Sequence, residues 1–393
     1  MNIRVLTLNV WGLPLGIARH HAQRMEAIGE QFGPLGADII ALQEVWTPEA
    51  RSQLTEAGKA HGYTTLWHRK AAFGGSGLML LSRWPVEDIR FTPFRLAGLP
   101  QRPQHADYYG GKGFAEFTLR TSAGLVSIIN THLHAGYTPA PELDEYDGLR
   151  AAQAIQIATA IRKIKNPVIA LGDFNTEEHE PASRILLGLS GLLDSAQELD
   201  LRQATIVQGN PYRGADAPDA RIDLILSRGG EETEIRPTTL RRVLDAEFRV
   251  GSDRATYSDH AGLFGVFELS KRAKPVPVPD PVSVETLNLA HHQIELGRKI
   301  SLDRQSRESV MAAGGLILGL TAGAGAFEAR RRRRQWLFGF ATSLAGLSTV
   351  GASGAYWGSR SVVAHELQVY DQIIQALNRM KPALPERDKL RTK

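Results

Sequence analysis

The feature that most constrains the fold is a set of short apolar runs that each end in a polar or ionisable side chain. Four of these ends are Asn9, Glu44, His132 and Asp173. Short apolar runs bounded by polar residues are typical of buried strands, and strand ends are where α/β proteins commonly place ligands. One such end is ordinary, but four in one chain indicate a shared site.

The stretch VIALGDFN, residues 168–175, is the clearest example. Val168–Leu171 is predicted to be a buried strand, after which Gly172 introduces Asp173 and Asn175. If the backbone stays extended, side chains two residues apart point to the same side. A carboxylate and a carboxamide on one side suit a hydrated divalent cation beside a phosphate oxygen. Asp and Asn are also ordinary turn residues, so this stretch alone leaves both interpretations open.

The first 270 residues alternate predicted strands and helices, with some strands in adjacent pairs. This arrangement favours mixed rather than purely parallel sheets. The predicted strands are 3–8, 38–42, 77–81, 114–118, 125–129, 168–171, 222–226 and 263–269, and the predicted helices lie at 22–32 and 151–161. Residues 91–113 are predicted to form a long loop.

The composition changes at Lys271. Residues 1–270 carry 27 Lys and Arg against 32 Asp and Glu, whereas residues 271–393 carry 19 against 10. Nucleic-acid binding needs clustered Lys and Arg, so the acidic first part argues against nucleic acid as its partner. The predicted segments are a main α/β domain at 1–270, a Pro-rich linker at 271–283, an amphipathic helix at 284–308, a hydrophobic helical hairpin at 309–359 and a basic tail at 360–393.

Two long stretches without a charged residue, Ser309–Phe327 and Gln335–Ser359, are candidate membrane helices. Five consecutive arginines, Arg330–Arg334, stand between them. Small residues at four-residue spacing would let the two helices approach closely; they are Gly315, Gly319 and Gly323. The alternative is a soluble helical hairpin rich in Gly and Ala.

The arginine run also bears on membrane orientation. Arginines in the connecting turn favour a cytoplasmic turn, yet the first residues, MNIRVLTLNV, lack the pattern of an export signal. A shallow hairpin in one leaflet, with Arg330–Arg334 at anionic lipid headgroups, reconciles these observations. We therefore predict membrane association with the main domain on the cytoplasmic side. The chain has no cysteine, which excludes disulfides and thiolate metal sites without deciding the compartment.

The polar residues of the main domain sort into chemical roles. Glu44 is the predicted ligand of Mg²⁺, or alternatively Mn²⁺, with Asn9 as a neutral oxygen donor. His260 follows Asp259 directly and is suited to act as a general base on water. Asp223, on a separate strand, is the candidate that orients its imidazole.

Further residues are candidates for binding a phosphate. His132 is predicted to donate a hydrogen bond to a phosphoryl oxygen or the leaving group, whereas His134 suits a structural role equally well. Lys112, in the segment GGKG, is a flexible cation suited to a phosphate, although the segment is not a P-loop. Asp107, five residues earlier, is predicted to hold Lys112 back in a resting state.

Eight motifs occur in the order found in the endonuclease/exonuclease/phosphatase superfamily: LTLNVWG, ALQEVW, GSGLMLLSRWP, GGKGF, NTHLHA, LGDFN, ARIDLIL and YSDH. Within that superfamily, NVWGLP, GGKGF and THLHA most resemble the neutral sphingomyelinases. The resemblance covers residues 1–270, and the hydrophobic hairpin resembles that of the eukaryotic membrane-bound branch.

The resemblance implies a four-layer α/β sandwich, with two mixed β-sheets flanked by helices, and Mg²⁺-dependent phosphodiester hydrolysis. Residue by residue, the resemblance assigns metal binding to Asn9 and Glu44, with Asp259 close to the metal. It assigns the phosphate and water site to Asp173 and Asn175 and places His132 at the phosphate. It makes His260 the general base, supported by Asp223.

The expected reaction is phospholipase C-type cleavage of a sphingomyelin-like membrane lipid to ceramide and phosphocholine by water activated at His260. Asn175, His132 and Lys112 would stabilise the phosphorane oxygens, with Mg²⁺ on Glu44 neutralising developing charge. The alternatives are a nuclease or abasic-site endonuclease, a lysophospholipase C or phosphoinositide phosphatase, and a catalytically silent membrane tether.

Overall fold

The computed structural model describes residues 1–69, 75–100, 102, 105, 107–137, 144–214 and 216–380. These residues form two compact units, Met1–Ala290 and His291–Arg379. The first unit consists of two six-stranded β-sheets flanked by helices. The predicted α/β sandwich with two mixed sheets is therefore confirmed.

The strands are β1 Asn2–Asn9, β2 Ile39–Gln43, β3 Thr65–His68, β4 Met79–Ser82, β5 Val86–Pro93, β6 Gly113–Thr121, β7 Gly124–His132, β8 Val168–Asp173, β9 Leu193–Asp194, β10 Asp223–Arg228, β11 Thr233–Val243, β12 Phe248–Val250, β13 Asp253–Ala255 and β14 Gly262–Lys271. The helices are α1 His21–Glu30, α2 Phe32–Leu35, α3 Pro48–Ala60, α4 Asp147–Ile161, α5 Pro181–Ser190, α6 Ser195–Glu198, α7 Val284–Arg331, α8 Gln335–Trp357 and α9 Val363–Asn378, with a π-helical turn, Gly358–Val362, before α9.

The strand order places two parallel pairs at the centre of the sandwich. Sheet A has the order β11-β14-β1-β2-β4-β3 and sheet B the order β5-β6-β7-β8-β10-β9. Within these sheets only β1–β2 and β7–β8 are parallel among the described strands. Asn9 is thus in register with Gln43, and His132 with Asp173. The parallel pairing brings the polar strand ends of each sheet to one edge.

Alternating apolar residues of both sheets form the core between them. Members from sheet A include Val5 and Ile39, and members from sheet B include Phe117 and Ile128. A second apolar cluster lies on the outer face of sheet A, against α1 and α3. Because each central strand is buried on both faces, it reads in the sequence as a continuous apolar run.

Gly172 makes the close approach of β7 and β8 possible. Its φ is +145°, and a Cβ at this position would lie 2.0 Å from the carbonyl oxygen of Thr131. No larger residue fits that space without moving the backbone of β7. The glycine therefore sets the position of Asp173, which follows it directly.

All eight predicted strands are present, with ends shifted by a few residues, but several elements were missed. The interpretation of residues 91–113 as one loop is wrong at its start, because β5 continues to Pro93. The long strand β11 escaped prediction because its sequence, TEIRPTTLRRV, is polar and contains Pro237 at a register shift. Charges and proline are typical of edge strands, and β11 lies at the edge of sheet A.

Residues 272–283, within the predicted linker, contain no helix or strand and are attached to the first unit. The backbone N–H of Arg272 donates to the Glu232 carbonyl at 2.8 Å, and that of Val276 donates to the Glu231 carbonyl at 2.9 Å. Val282 is buried. The chain reaches α7 while still packed on the sandwich.

The second unit contains two long helices in contact. The predicted segments 284–308 and 309–327 form one continuous helix, α7, without a break. A Cβ on Gly315 would lie 3.1 Å from Ala352 of α8, and one on Gly319 would lie 3.0 Å from Thr349. The third glycine of the predicted stripe has no such neighbour within 4 Å.

Among the described residues, one helix, α7, is long and apolar enough to cross a membrane. The helix α8 does not meet that criterion, although its apolar side chains are exposed. Exposed large apolar residues within 309–359 are Val310, Met311, Leu316, Ile317, Leu318, Leu320, Phe327, Trp336, Phe340, Leu347, Val350, Tyr356 and Trp357. Helix α9 carries acids that pair with α7: Asp371 with Arg298, and Glu366 with Arg304.

We predict that Phe117→Ala lowers the free energy of unfolding by about 3–5 kcal/mol, because it opens a cavity between the two sheets. Phe117 is fully buried and meets the Trp67 ring edge to face at 5.1 Å, so urea unfolding can be followed by tryptophan fluorescence. The matched change Ile89→Ala, at a residue that is 38% exposed on β5, should alter stability by less than about 0.5 kcal/mol. Equal losses in both variants would contradict this assignment of the core.

Candidate active site

The side chain of Asn9 connects the two sheets at the edge where the polar strand ends meet. Its Nδ2 donates to Glu44 Oε1 at 3.2 Å and to Asp173 Oδ2 at 2.9 Å. Its Oδ1 accepts the backbone N–H of Trp11 at 3.0 Å. Asn9 therefore holds two predicted site carboxylates together in addition to offering an oxygen.

Glu44 follows β2 in a left-handed conformation, with a φ of +60°. Its carbonyl accepts the N–H groups of Gly12 and Trp46 at 3.1 and 3.0 Å. A Cβ at Gly12 would lie 2.3 Å from that oxygen, so the turn after β1 requires glycine. A non-glycine residue in this region is uncommon and costs free energy, and here it turns the carboxylate toward Asn9.

The backbone after Asp173 does not stay extended, which corrects the sequence-based geometry. Asn175 has a φ of +47°, and its N–H donates to Asp173 Oδ1 at 3.0 Å. This is a turn closed by the Asp side chain. The amide of Asn175 then donates to the Leu133 carbonyl at 3.0 Å. Both side chains still lie at the site, but they are fixed by the turn and by the segment after β7.

His260 and Asp223 form a buried pair, as predicted. His260 Nδ1 lies 2.8 Å from Asp223 Oδ2, and its Nε2 lies 4.0 Å from Asp173 Oδ2. Burial alone would lower the pKa of His260, but the negative charges of Asp223, Asp259 and Asp173 outweigh it and raise that pKa to about 10. With Nδ1 held by the carboxylate, Nε2 is the nitrogen that faces the site.

Asp259 lies beside His260 and is paired with an arginine that the sequence analysis missed. Arg213 Nη2 lies 3.2 Å from Asp259 Oδ2 and 3.5 Å from His260 Nε2. Ser258 binds the same loop to β1, because its hydroxyl donates to the Asn9 carbonyl at 2.6 Å. Arg213 comes from an irregular segment far away in sequence, where no pattern marks it.

Lys112, Asp107 and His132 form a second buried group at the site. Lys112 is ion-paired with Asp107, as predicted, and its ammonium donates to the Leu133 carbonyl and to His132 Nε2, both at 2.9 Å. Burial and the charge of Lys112 hold the pKa of His132 well below its usual value. His132 is therefore neutral, accepts at Nε2, and lies 3.3 Å from Asp173 Oδ2.

Among the acidic residues of the site, Asp107 is the one whose negative charge is matched by a buried lysine, Lys112. Burial would raise its pKa, but Lys112 and nearby histidines hold it well below the usual value. The Tyr137 hydroxyl also donates to it. His134 follows β7 rather than lying on it, and its ring stacks on Tyr146 with centroids 4.1 Å apart, which is a structural arrangement.

The carboxylates of Glu44 and Asp173 lack such a balance of charge, and the pKa values of both are raised. Burial first, and repulsion from Asp259 second, raise the pKa of Glu44 to about 7. Burial and repulsion from Asp223 raise that of Asp173 to about 6. Two buried carboxylate oxygens, Glu44 Oε2 and Asp223 Oδ1, have no hydrogen-bond partner. Unsatisfied acidic oxygens that repel one another are what a hard divalent cation would relieve.

The residues present therefore fit a divalent cation. Ligand atoms of Asp173, Asp223 and His260 lie within 4.8 Å of one another. The predicted ligand Glu44 joins this group through Asn9. The oxygen-rich donor set suits Mg²⁺ or Mn²⁺ rather than a soft metal.

A buried arginine, Arg24, supports the loops around the site. Its guanidinium is fully buried and donates to the carbonyls of Val10, Trp11 and Tyr257 at 2.8–3.1 Å. A charged residue among the apolar positions of the predicted helix at 22–32 is the sequence signal that could have identified it.

Comparison with known proteins identifies relatives of the first unit. Residues 6–260 match the Endonuclease/Exonuclease/phosphatase family. The chain is 30% identical over 282 residues to the putative neutral sphingomyelinase of Drosophila melanogaster, which covers 69% of this chain and 62% of that protein. It is 33% identical over 180 residues to the inositol phosphosphingolipids phospholipase C of Schizosaccharomyces pombe, which covers 44% of this chain and 41% of that protein. The chain thus spans less than two thirds of the length of either relative.

Solved structures share the fold. The crystal structure of truncated Caenorhabditis elegans TDP2 superposes with a TM-score of 0.52 at 18% identity, covering 68% of this chain and 97% of that one. At 18% identity this similarity concerns the fold alone.

We predict that Glu44→Gln stabilises the metal-free protein at high pH. The pKa of Glu44 is about 7 in the folded protein, above the ordinary value of 4.5. As pH rises between these values the unfolded state loses its proton first, so the folded state loses stability. In chelator at pH 8 the variant should be about 1–3 kcal/mol more stable than the wild type, with no gain near pH 4.

Urea unfolding in chelator and in Mg²⁺ checks this prediction. Mg²⁺ at about 1,000 times its Kd should reverse the order, because it stabilises the wild type by about 4.1 kcal/mol. Glu56→Gln, at an exposed residue paired with Lys59, is the control and should show neither effect. A Glu44→Gln protein that Mg²⁺ stabilises as much as the wild type would rule out Glu44 as a ligand.

Proposed function

The chain belongs to the endonuclease/exonuclease/phosphatase family, and on that premise we propose that it is a divalent-metal-dependent phosphodiesterase that hydrolyses a membrane sphingolipid. The cleavage is of the phospholipase C type, so that water attacks phosphorus and the bond to the ceramide oxygen breaks. The observation that carries the proposal is the buried pair of Asp223 and His260 beside the undercompensated carboxylates Glu44 and Asp173.

His260 is the proposed general base. Asp223 holds its Nδ1, so Nε2 is free to take a proton from water. Glu44, with Asn9 and Asp259 close by, would hold a divalent cation, which would supply positive charge beside the phosphate. The carboxylates that raise the pKa of His260 to about 10 would then be partly neutralised, which would bring that pKa toward the range of a base at neutral pH.

The other site residues bind the phosphate and water. Asp173 and Asn175 orient the attacking water and one phosphate oxygen, because the turn between them fixes both side chains. Lys112 supplies donors to the remaining oxygens, and His132 positions its ammonium by accepting a hydrogen bond at Nε2. Asp107 holds Lys112 in a resting arrangement, and release from that ion pair frees the ammonium for substrate.

The membrane origin of the substrate rests on two observations. Relatives named for sphingomyelin and for inositol phosphosphingolipids support a sphingolipid as the substrate class. Helices α7 and α8 expose many large apolar side chains, and we propose that they attach the chain to a bilayer. Trp336 and Trp357 lie at the two ends of α8, and the tryptophan ring suits the membrane–water boundary.

Product analysis tests the reaction class. Incubating the full chain with a total-lipid extract and Mg²⁺ should convert sphingomyelin or another phosphosphingolipid to ceramide and a phosphorylated headgroup, detected by mass spectrometry. Chelator should abolish the products. Nicking of plasmid DNA at catalytic concentrations, without release of a lipid headgroup, would overturn the proposal in favour of a nuclease. Release of headgroups from glycerolipids alone would identify a different lipid substrate.

Asp223→Asn tests the catalytic pair. Loss of the carboxylate leaves His260 without the acceptor that fixes its Nδ1–H, so kcat of the folded variant should fall about 10²–10⁴-fold. Breaking this buried pair should also lower the free energy of unfolding by about 3–5 kcal/mol, so activity is measured below the unfolding transition of the variant. Ser227→Ala, at a buried residue of the same strand, is the matched control and should retain activity. If Asp223→Asn stays within threefold of the wild type, the pair is not catalytic.

A further inference from the structure

A short apolar loop projects from the edge of the active site. This tip loop, residues 12–18, exposes 95% of Leu15 and 59% of Ile17. Leu15 has a φ of +61° and Gly16 a φ of +77°, and the Ile17 N–H closes the turn onto the Pro14 carbonyl at 3.3 Å. A leucine with a left-handed backbone conformation is strained. Packing in the core does not account for this strain, because the Leu15 side chain is exposed to solvent.

The base of the tip loop is held rigidly. Arg24 donates to the carbonyls of Val10 and Trp11 at its start, at 2.8 and 2.9 Å, and its Nε donates to the Arg19 carbonyl just after its end, at 2.9 Å. The guanidinium stacks on the Trp11 ring, 5.0 Å from its centroid. The apolar tip is thus fixed in an outward position before it meets a partner, which lowers the entropy cost of binding.

The same loop is bonded to the metal-site residues. The Trp11 N–H donates to Asn9 Oδ1 at 3.0 Å, and the Gly12 N–H donates to the Glu44 carbonyl at 3.1 Å. The tip loop therefore begins three residues beyond Asn9, at the same end of the sandwich as the site. Any surface that covers the tip is brought to the mouth of the site.

A second set of exposed residues lies at this end of the sandwich. Tyr108 and Tyr109 precede β6, at the end where β6 meets His132 of β7, and are 37% and 56% exposed. Their rings pack against each other at 5.2 Å. Tyrosine combines an apolar ring with a polar hydroxyl and is favoured where a protein meets the membrane–water boundary.

We propose that the tip loop inserts into the lipid bilayer and seats the mouth of the active site on it. A proline, leucine and isoleucine at the tip, with two tyrosines exposed at the same end of the sandwich, suit the acyl region and its polar boundary. A bilayer is the partner that the chain itself indicates, because α7 and α8 expose a long run of large apolar side chains. The inference rests on the proposed function, since it describes how that site reaches a substrate in a membrane.

Site-specific fluorescence tests insertion without depending on turnover. The chain contains no cysteine, so Leu15→Cys and Ile17→Cys each provide one label position for the fluorophore NBD. The matched control is Leu193→Cys, at an exposed residue of β9 (55% exposed) opposite Ser227, away from the site end of β10. The full chain is reconstituted into phosphatidylcholine–sphingomyelin vesicles with and without spin-labelled phosphatidylcholine.

Labels at 15 and 17 should shift to shorter emission wavelength and be quenched by the spin-labelled lipid at least about threefold more than the label at 193. Equal quenching at all three positions would overturn the proposal. Shielding of position 15 that depends on protein density and not on spin-labelled lipid would also overturn it, because that result identifies a second copy of the chain as the partner.

An activity comparison separates this proposal from the proposed function. Leu15→Ser should lower hydrolysis of sphingomyelin in vesicles about tenfold, since it removes apolar contact with the bilayer. Hydrolysis of a water-soluble phosphocholine ester should be unchanged, as should both activities of Leu193→Ser. An equal loss on both substrates would overturn the docking role. Lipid quenching at position 15 in a chain that hydrolyses no lipid would leave insertion supported while the proposed function fails.

Discussion

The amide of Asn9 is the contact on which the arrangement of the site depends. It extends from β1 of sheet A and reaches both Glu44, beyond β2, and Asp173 of sheet B. Below it, Gln43 Nε2 donates to Asn130 Oδ1 at 2.8 Å and to the Thr7 hydroxyl at 3.1 Å. A line of paired polar groups thus crosses an otherwise apolar interior. Buried polar groups are stable only when hydrogen-bonded, so these contacts fix how the two sheets face each other.

That line follows directly from strand geometry. Thr7 and Asn9 are two residues apart on β1, and Asn130 and His132 are two apart on β7, so each pair points to one side. Asn130 Nδ2 also donates to the Met79 carbonyl at 3.0 Å, which connects β7 to sheet A. The hydrogen bonds that hold the two sheets together therefore also position the side chains of the site.

The charges at the site are balanced on one side and unbalanced on the other. Lys112 and Asp107 neutralise each other in a buried pair. The pKa values of Glu44 and Asp173 are raised because burial opposes their ionisation, as does repulsion from Asp259 and Asp223, respectively. Such a site attracts cations and repels a phosphodiester anion. A divalent cation bound there would offset the charge of these carboxylates, whereas the charge of Lys112 is already matched by Asp107.

The sequence predicts the parts of this structure that repeat a local pattern and fails where distant segments meet. Strand ends such as Asn9 and Asp173 could be found because each closes an apolar run, and the pairing of His260 with Asp223 agrees with the resemblance to a known family. The position of the Asn175 side chain could not be predicted, because it depends on a hydrogen bond to the Leu133 carbonyl in the segment after β7. Arg213 pairs with a side chain far away in sequence, and no pattern marks it. Arg24 stands out among the apolar positions of a predicted helix, but no pattern identifies the distant carbonyls to which it donates. Predicting these contacts requires the positions of the loops, and one of those loops is itself held in place by the buried Arg24.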